Sequence, residues 1–587
     1  MESKTEAHRL SNKEVITTLK EILAAMEVKG FNPFRVRAYQ NAISILDNIT
    51  VAIYDMWENK RLGEVPGVGV GIESHLNELF TTGKVEEFEQ VKADLPEGMF
   101  TLIGLRGIGA KRAFKLAVAF KLTDRETALD KLKEAAEKGK IQVLEGFGEK
   151  MEKAILEAIE EQKLAKNSKI RFLLPHAEQI VDRVITYMKK CKAVEKIEAA
   201  GSFRRRSPTI GDLDMPIATK NPEKVIEHFL NFPEIADVLT SGDKKASAVL
   251  KNDVQVDIRT INPEAYGAML QYFTGSKQHN ILLRNFALTK GLSLSEYGIK
   301  KGDDIKEFSD EESFYKELGL PYIQPEIRNG NFEIEAAQKN ILPKLIELKD
   351  IKGDIHMHTP ASDGVNNIEE MVEAATALGY EYIGISDHSP SIQSRGLGTV
   401  LKMVSDTRKK IDEVNASQDK VKVLYGYEVN ILVDNSLGLP EDILKNLDYV
   451  IAGVHTAFNQ DKKTVTERIL AAMENPYVNI ISHPSGRMLN ERDPIDPDWN
   501  KVFDAARDKG VILEINGQPQ RLDLPDDLIK SAIEWGVKLM INSDAHSAEE
   551  LKFMRYGIDD ARRGWAQKEN ILNTLPFEKF VKELKSR

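Results

Sequence analysis

Beyond residue 350 the chain alternates short apolar runs with helical stretches. The runs are EYIGISDH, KVLYGYEVN, YVIAGVHT, VNIISHP, VILEING and KLMINSDAH, and DIHMHTPASDG precedes them. Short apolar strands separated by helices predict parallel β/α units and a barrel. In such a barrel the C-terminal ends of the strands converge on one face. Nearly every run here closes on a histidine or a carboxylate. His356 and His358 are spaced to share a strand face, and Asp363 follows in a loop. His388, Glu428, His455, His483, Asp544 and His546 come after. A lone histidine is more often a structural hydrogen-bonder than a ligand. Six of the eleven lie in this region, with an H-x-H and a D-x-H among them. Together with three carboxylates they predict a multinuclear site for Zn²⁺, Mn²⁺ or Fe. Such a site can activate water and hold a phosphodiester.

The rest of the 587 residues carries different chemistry. A mass of 66.0 kDa allows about four domains. Ordinary globular composition, 42% hydrophobic and 29% charged, excludes a disordered or fibrous chain. No apolar run reaches about 18 residues, so no membrane span is expected. MESKTEAHRL lacks the apolar core of a signal peptide. The one cysteine, Cys191, excludes a disulfide framework, and a cytoplasmic location is expected. The net charge of −11 sits almost wholly in the second part. Residues 346–587 hold 30 basic and 40 acidic side chains, and the first 345 residues hold 51 and 52. Local basic patches, and hence DNA binding, remain open in the first part.

Residues 1–165 read as helical. EVPGVGVGI, GLRGIGAKRA and EGFGEKMEKAI repeat a Gly-x-Gly between helical patterns, at Gly67 and Gly69, Gly107 and Gly109, and Gly146 and Gly148. A glycine loop followed by a helix presents backbone N–H groups to phosphates without regard to base sequence. Lys111, Arg112 and Lys150 strengthen this reading. Plain helix–turn–helix connections are the alternative, and the even spacing disfavours them.

From about 190 to 260 short alternating runs predict an antiparallel sheet. In GDLDM, Asp212 and Asp214 share a strand face, and Asp257 in VQVDIR is a third carboxylate. Three carboxylates on adjacent strands can hold two divalent cations about 4 Å apart and support phosphoryl transfer. A solvated strand edge is the alternative. GSFRRRS, residues 201–207, has the glycine, hydroxyl and arginines that suit a triphosphate. PYIQPEIRNGNFE at 321–333 is rich in Pro, Gly and Asn and reads as a linker.

GSFRRRSPTIGDLD, VQVDIR and YFTGSKQHNILLRNFALTKGLSLSEYGI closely resemble the X family of DNA polymerases, over residues 1 to about 322. The set beyond 350 resembles the polymerase-and-histidinol-phosphatase (PHP) domain. The resemblance implies a multidomain chain. Helical helix-hairpin-helix units at 1–90 and 91–165 lead to an α+β nucleotidyltransferase palm at 166–262 and a thumb at 263–322. A linker at 323–345 and a distorted (β/α)7 barrel at 346–587 complete it. By that resemblance Asp212, Asp214 and Asp257 bind two Mg²⁺ or Mn²⁺. Gly201, Ser202, Arg205, Tyr272, Phe273, Gly275 and Asn280 contact the incoming nucleotide. Arg284 and the hairpin glycines contact DNA. The nine barrel residues fill a site for up to three Zn²⁺ or Mn²⁺, with Arg395 and Arg487 near the motifs, either as phosphate contacts or simply as solvated arginines.

The implied function is gap-filling repair synthesis on gapped or nicked DNA with dNTPs, by a monomer, with a 3′-5′ exonuclease in the barrel for which abasic-site or 3′-end processing is a further candidate activity. A barrel nuclease that uses an inactive polymerase part to bind DNA is the alternative, which the intact aspartate set disfavours. Gly71 and His75 stand where some members of the family carry Schiff-base lysines, so deoxyribose-phosphate lyase activity is not expected. Lys277 stands where some relatives carry an acid.

Overall fold

A computed structural model describes residues 10, 12–47, 53–58, 60–65, 68–103, 105, 108–165 and 171–586. The first part is helical, as the apolar spacing predicts. The Asn12–Lys29 helix buries Val15, Leu19, Ile22 and Met26, a stripe of period near 3.6. This stripe joins one buried cluster that runs from Val15 to Ile159. Arg125 ties Glu21 to Glu97, at 2.5 Å each. The segments 1–90 and 91–165 therefore share a single core, because most of their helices are too short to bury an apolar stripe alone.

The runs at 190–260 form a five-stranded sheet. Its order is Lys196–Ile197, Leu213–Ala218, Gln255–Ile261, Lys245–Leu250, Ile235–Gly242. The expected antiparallel arrangement needs correction. Leu213–Ala218 and Gln255–Ile261 run parallel, with Asp214 opposite Asp257. The Pro222–Leu230 helix and the 235–250 hairpin lie between them in sequence, which is enough chain for a parallel return.

The 323–345 linker also needs correction. Ile323, Ile327, Ile334 and Leu345 lie in the same buried cluster as Phe314 and Tyr315. Arg328 is fully buried and donates to Glu311 at 2.6 Å and to the Ile323 carbonyl at 2.9 Å. The Pro, Gly and Asn residues mark turns in packed chain. Gly330, at φ +83°, lies so close to Gln278 that a Cβ there would meet its side chain at 2.4 Å.

Beyond 350, seven parallel strands follow in sequence order: Gly353–Asp354, Tyr382–Ile385, Lys422–Asn430, Tyr449–Gly453, Ile480–Ile481, Ile512–Asn516 and Leu539–Asn542. The first and last meet through His358 N–H to the Ala545 carbonyl, 2.8 Å, so the barrel nearly closes. Helices cover the outside. The Phe577–Leu584 helix plugs the end where the strands begin, with Phe580 stacked on Tyr382. The opposite end carries the histidines.

The barrel packs against the sheet domain: Leu522 and Tyr556 lie within the sheet domain's own apolar cluster. Near this interface Asp560 is buried, 3.3 Å from Arg487. Burial pushes its carboxyl up to about 8 despite Arg487, and Asp526 and Asp523 repel it further while Arg563 attracts it. The folded chain thus keeps a proton that the unfolded carboxyl, near 3.9, gives up, so this group's contribution to stability falls as pH rises from about 4 to 8. Asp560→Asn should raise the melting temperature, with a gain that grows through that window and levels off above it. Thermal unfolding across the window checks this; a gain independent of pH would refute it.

Candidate active sites

The barrel site is built around Glu428, near the end of the Lys422–Asn430 strand and 1% exposed. Its Oε1 lies 2.8 Å from His483 Nε2 and 3.0 Å from His455 Nε2. Its Oε2 lies 2.9 Å from His388 Nδ1, 3.6 Å from His356 Nε2 and 4.0 Å from His358 Nε2. Asp544 Oδ1 faces His358 Nε2 at 3.1 Å and His356 Nε2 at 3.5 Å. Asp363 Oδ2 faces His388 and His546 at 3.5 and 3.4 Å. All nine residues singled out in the sequence thus come together.

The donors form overlapping groups: His358, Asp363, His388 and His546; His356, His358 and Glu428; His388, Glu428 and His455. Within each group the ligand atoms lie within 4.8 Å of one another. His356 Nε2, His358 Nδ1, His455 Nδ1 and His483 Nδ1 are buried without a hydrogen-bond partner, which is costly unless a cation takes the lone pair. The donor set fits metal binding. Burial opposes charge on Glu428 and on Asp544, but His455 and His356 outweigh it at Glu428 and His356 and His358 at Asp544. Both carboxyls stay well below their usual range and remain anionic.

On the central sheet, Asp214 and Asp257 sit side by side on the parallel strands, and Asp212 directly precedes the Leu213–Ala218 strand. Gln255 Nε2 donates to Asp257 Oδ2 at 2.9 Å. Among the described residues, groups of three or more metal-ligating side chains with donor atoms within 4.8 Å of one another occur in the barrel alone.

Gly201, at φ +58°, backs onto Asp214; a Cβ there would meet Asp214 Oδ2 at 2.6 Å, so only glycine fits. The Gly201–Arg204 turn presents Ser202, and Arg205 follows. The Arg205 guanidinium reaches the Thr274 carbonyl beside Gly275, which ties the turn to YFTGS. Burial and the neighbouring Arg563 and Arg328 lower Arg205 to about 10, with Asp214 opposing. Glu311 and Asp526 pair with Arg328 and Arg563, so Arg205 is the member of this group placed to meet a polyanion. Tyr272 and Phe273 meet edge to face at 5.2 Å. Asn280 donates to the Tyr272 carbonyl at 2.7 Å and accepts from Gln271 at 2.9 Å. Arg284 lies over the Tyr272 ring, and Lys277 is exposed at the start of its helix.

A protein of Bacillus subtilis (strain 168), named DNA polymerase/3′-5′ exonuclease PolX, is 38% identical over 580 residues, 98% of this chain and 100% of that protein. The chain belongs to the PolX family. Family models also match parts of it: the DNA polymerase beta thumb over residues 269–329, the PHP domain over 354–518 and a helix-hairpin-helix domain over 10–85. A probable phosphatase of Thermoanaerobacter sp. (strain X514) is 31% identical over 251 residues, 40% of this chain and 96% of that protein. Another, from Acetivibrio thermocellus, is 31% identical over 207 residues, 34% of this chain and 80% of that protein.

In this PolX chain some site residues had escaped sequence reasoning. Glu514 bonds His356 Nδ1 at 2.7 Å and the His483 backbone N–H at 2.8 Å, and receives Asn542 and Asn516 at 2.9 and 3.0 Å. The signal was an acid in the middle of VILEING, where a strand buried on both faces should be apolar. Asp387 accepts from Thr359 N–H and Oγ1 and from Ser362, and so fixes the loop that carries Asp363. Arg521 Nε lies 3.5 Å from Asp544. Arg487 turns away and bonds the Arg521 and Leu522 carbonyls, while Arg395 is exposed.

The hairpins are partly described. Gly67 and Gly107 lie outside the described residues. Gly69 and Gly109 cap their helices with near-identical backbones, φ −76° with ψ 166° and 165°, and open space at the Cβ positions. Gly146, at φ +86°, and Gly148 are similarly open ahead of the Glu149–Ala165 helix. A cavity of about 620 Å³ lies by Gly109, lined by Lys111, Arg112 and Arg37. Another, of about 740 Å³, lies by Gly69 and Gly71. His75 lines the second, held between Tyr39 at 2.6 Å and Glu87 at 3.0 Å, and among the described residues no lysine lines it.

Proposed function

We propose that this DNA polymerase and 3′-5′ exonuclease runs its two reactions at separate sites, synthesis at Asp212, Asp214 and Asp257 and hydrolysis at the barrel mouth. The observation that carries the reading is the convergence of nine donors on one barrel end, while Asp214 and Asp257 pair on a different sheet. Divalent cations, two Mg²⁺ or Mn²⁺ at the aspartates and up to three Zn²⁺ or Mn²⁺ at the barrel, would supply positive charge to phosphate oxygens and acidify a water or hydroxyl.

The chain's own groups do the rest. Ser202 and Arg205 bind the triphosphate of a dNTP, and the Gly275 turn brings Tyr272 and Phe273 against its sugar. Asn280 meets the base edge, and Arg284 the template. Asp257 takes up the hydrogen of the primer 3′-OH. In the barrel Arg521 neutralises the phosphodiester, with Glu428 and Asp544 anionic beneath it. The hairpins at Gly69, Gly109 and Gly148, with Lys111, grip the backbone of gapped or nicked DNA. The chain acts as a monomer in the cytoplasm. No helix among the described residues is long and apolar enough to cross a membrane. With no lysine among the described residues that line the Gly69 cavity, deoxyribose-phosphate lyase activity is not expected there.

The test is an end-labelled primer on a one-nucleotide gap with Mn²⁺, with and without dNTPs. Asp214→Ala should lose extension and still degrade the primer, and His358→Ala should do the reverse. Joint loss of both activities in either variant would refute the division.

A further inference from the structure

The turn that carries Ser202 and Arg205 is gripped from outside its own domain. Arg206, next to Arg205, sits at φ +54°, a conformation that costs energy for a residue with a side chain unless its surroundings hold it. What holds it is a pair of carboxylates. Arg206 Nη2 lies 2.6 Å from Glu178 Oε1 and 2.6 Å from Asp559 Oδ2, and Nε donates to Asp559 at 2.8 Å. Glu178 belongs to the Leu174–Met188 helix of the sheet domain. Asp559 belongs to the Met554–Arg563 helix of the barrel.

The same barrel helix makes two more contacts. Arg563 Nη1 donates to the Arg205 carbonyl at 3.0 Å, while its other arm pairs with Asp526 at 2.6 Å. Tyr556 Oη donates to Glu178 at 2.8 Å. Tyr556, Asp559 and Arg563 are spaced i, i+3 and i+7, one face of a helix. That face therefore takes hold of both the side chain of Arg206 and the backbone of Arg205. The four charged side chains are only 10–21% exposed, so water screens them little.

We propose that Asp559 and Arg563 of the barrel are positioning residues for nucleotide addition, which hold the 201–206 turn so that Ser202 and Arg205 meet the triphosphate. The proposal rests on the reading of Ser202 and Arg205 as triphosphate ligands. It makes the barrel part of the polymerase reaction without any barrel group touching substrate.

Single-nucleotide insertion by the full chain, with KM for dNTP and kcat measured separately, is the test. Exonuclease rate on a single-stranded primer reports the fold of each variant. Asp559→Ala and Arg563→Gln should each raise the dNTP KM about tenfold and change kcat and the exonuclease rate less than about twofold. Asp559→Glu, which keeps a carboxylate for Arg206, should bring KM back to within about threefold of wild type. Arg205→Ala is the control for the underlying reading: an unchanged KM there means that Arg205 does not bind the triphosphate. If Arg205→Ala raises KM while Asp559→Ala and Arg563→Gln do not, the positioning role is overturned. If Asp559→Ala loses the exonuclease too, Arg563→Gln decides, because it leaves the Arg206 pair intact. Joint loss of both activities in both variants also overturns the role, since the contact is then a requirement of folding.

Discussion

Glu428→Gln should lower exonuclease activity by about 10³-fold or more, with primer extension retained. The carboxylate is the one anion that His356, His358, His388, His455 and His483 all face, at 2.8 to 4.0 Å. Glutamine keeps the shape and loses the charge. It also turns one oxygen into an N–H donor aimed at rings that need an acceptor or a shared cation, and burial leaves no water to compensate. Metal content, measured on the purified chain, should fall with the activity. Glu514→Gln makes a useful contrast. Its side chain orients His356 and fixes His483 from behind, so it should cost about 10- to 100-fold in metal affinity and leave residual exonuclease. A Glu428→Gln chain with full metal content and wild-type exonuclease would sink the site assignment.

Asp257→Asn should reduce primer extension by about 10³-fold, with exonuclease unchanged. Asn fits the strand, and the backbone register that places residue 257 opposite Asp214 does not use the side chain. What disappears is one of three negative charges. Removing one of two adjacent carboxylates also relieves repulsion, so the melting temperature in chelator should hold or rise. A rate loss with a lower melting temperature would point instead to a damaged sheet. Single-turnover insertion and thermal unfolding, run on the same preparation, separate the two outcomes.

Much of this architecture was legible because it is written in short-range spacing. Six apolar runs with helices between them specify parallel strands, since a backbone buried on both faces needs an unbroken apolar run. Side chains at the ends of those runs then reach the same barrel face, and all nine do. The D-x-D and Gly-Ser-Phe-Arg-Arg-Arg segments were readable for the same reason, because two-residue alternation and a glycine turn are local properties.

What could not be read from spacing is what depends on which surfaces meet. Parallel pairing of Asp214 with Asp257 is decided by the crossover, not by either strand alone. The 323–345 segment looks like slack chain from its Pro, Gly and Asn content, yet Arg328 and Ile334 find partners more than ten residues away or on other elements, and those partners order it. Glu514 reads as an anomaly in a strand until His356 appears 2.7 Å away. Arg487 reads as a phosphate ligand until two loop carbonyls and Asp560 claim it. The sequence by itself determined which residues could bind metal and phosphate and which elements carry them, because residue chemistry and backbone periodicity are local. Only the tertiary structure decided which carboxylates face each other, which charges are buried, and that a barrel helix holds the Arg205 turn, because burial and long-range contact arise only when distant segments pack together.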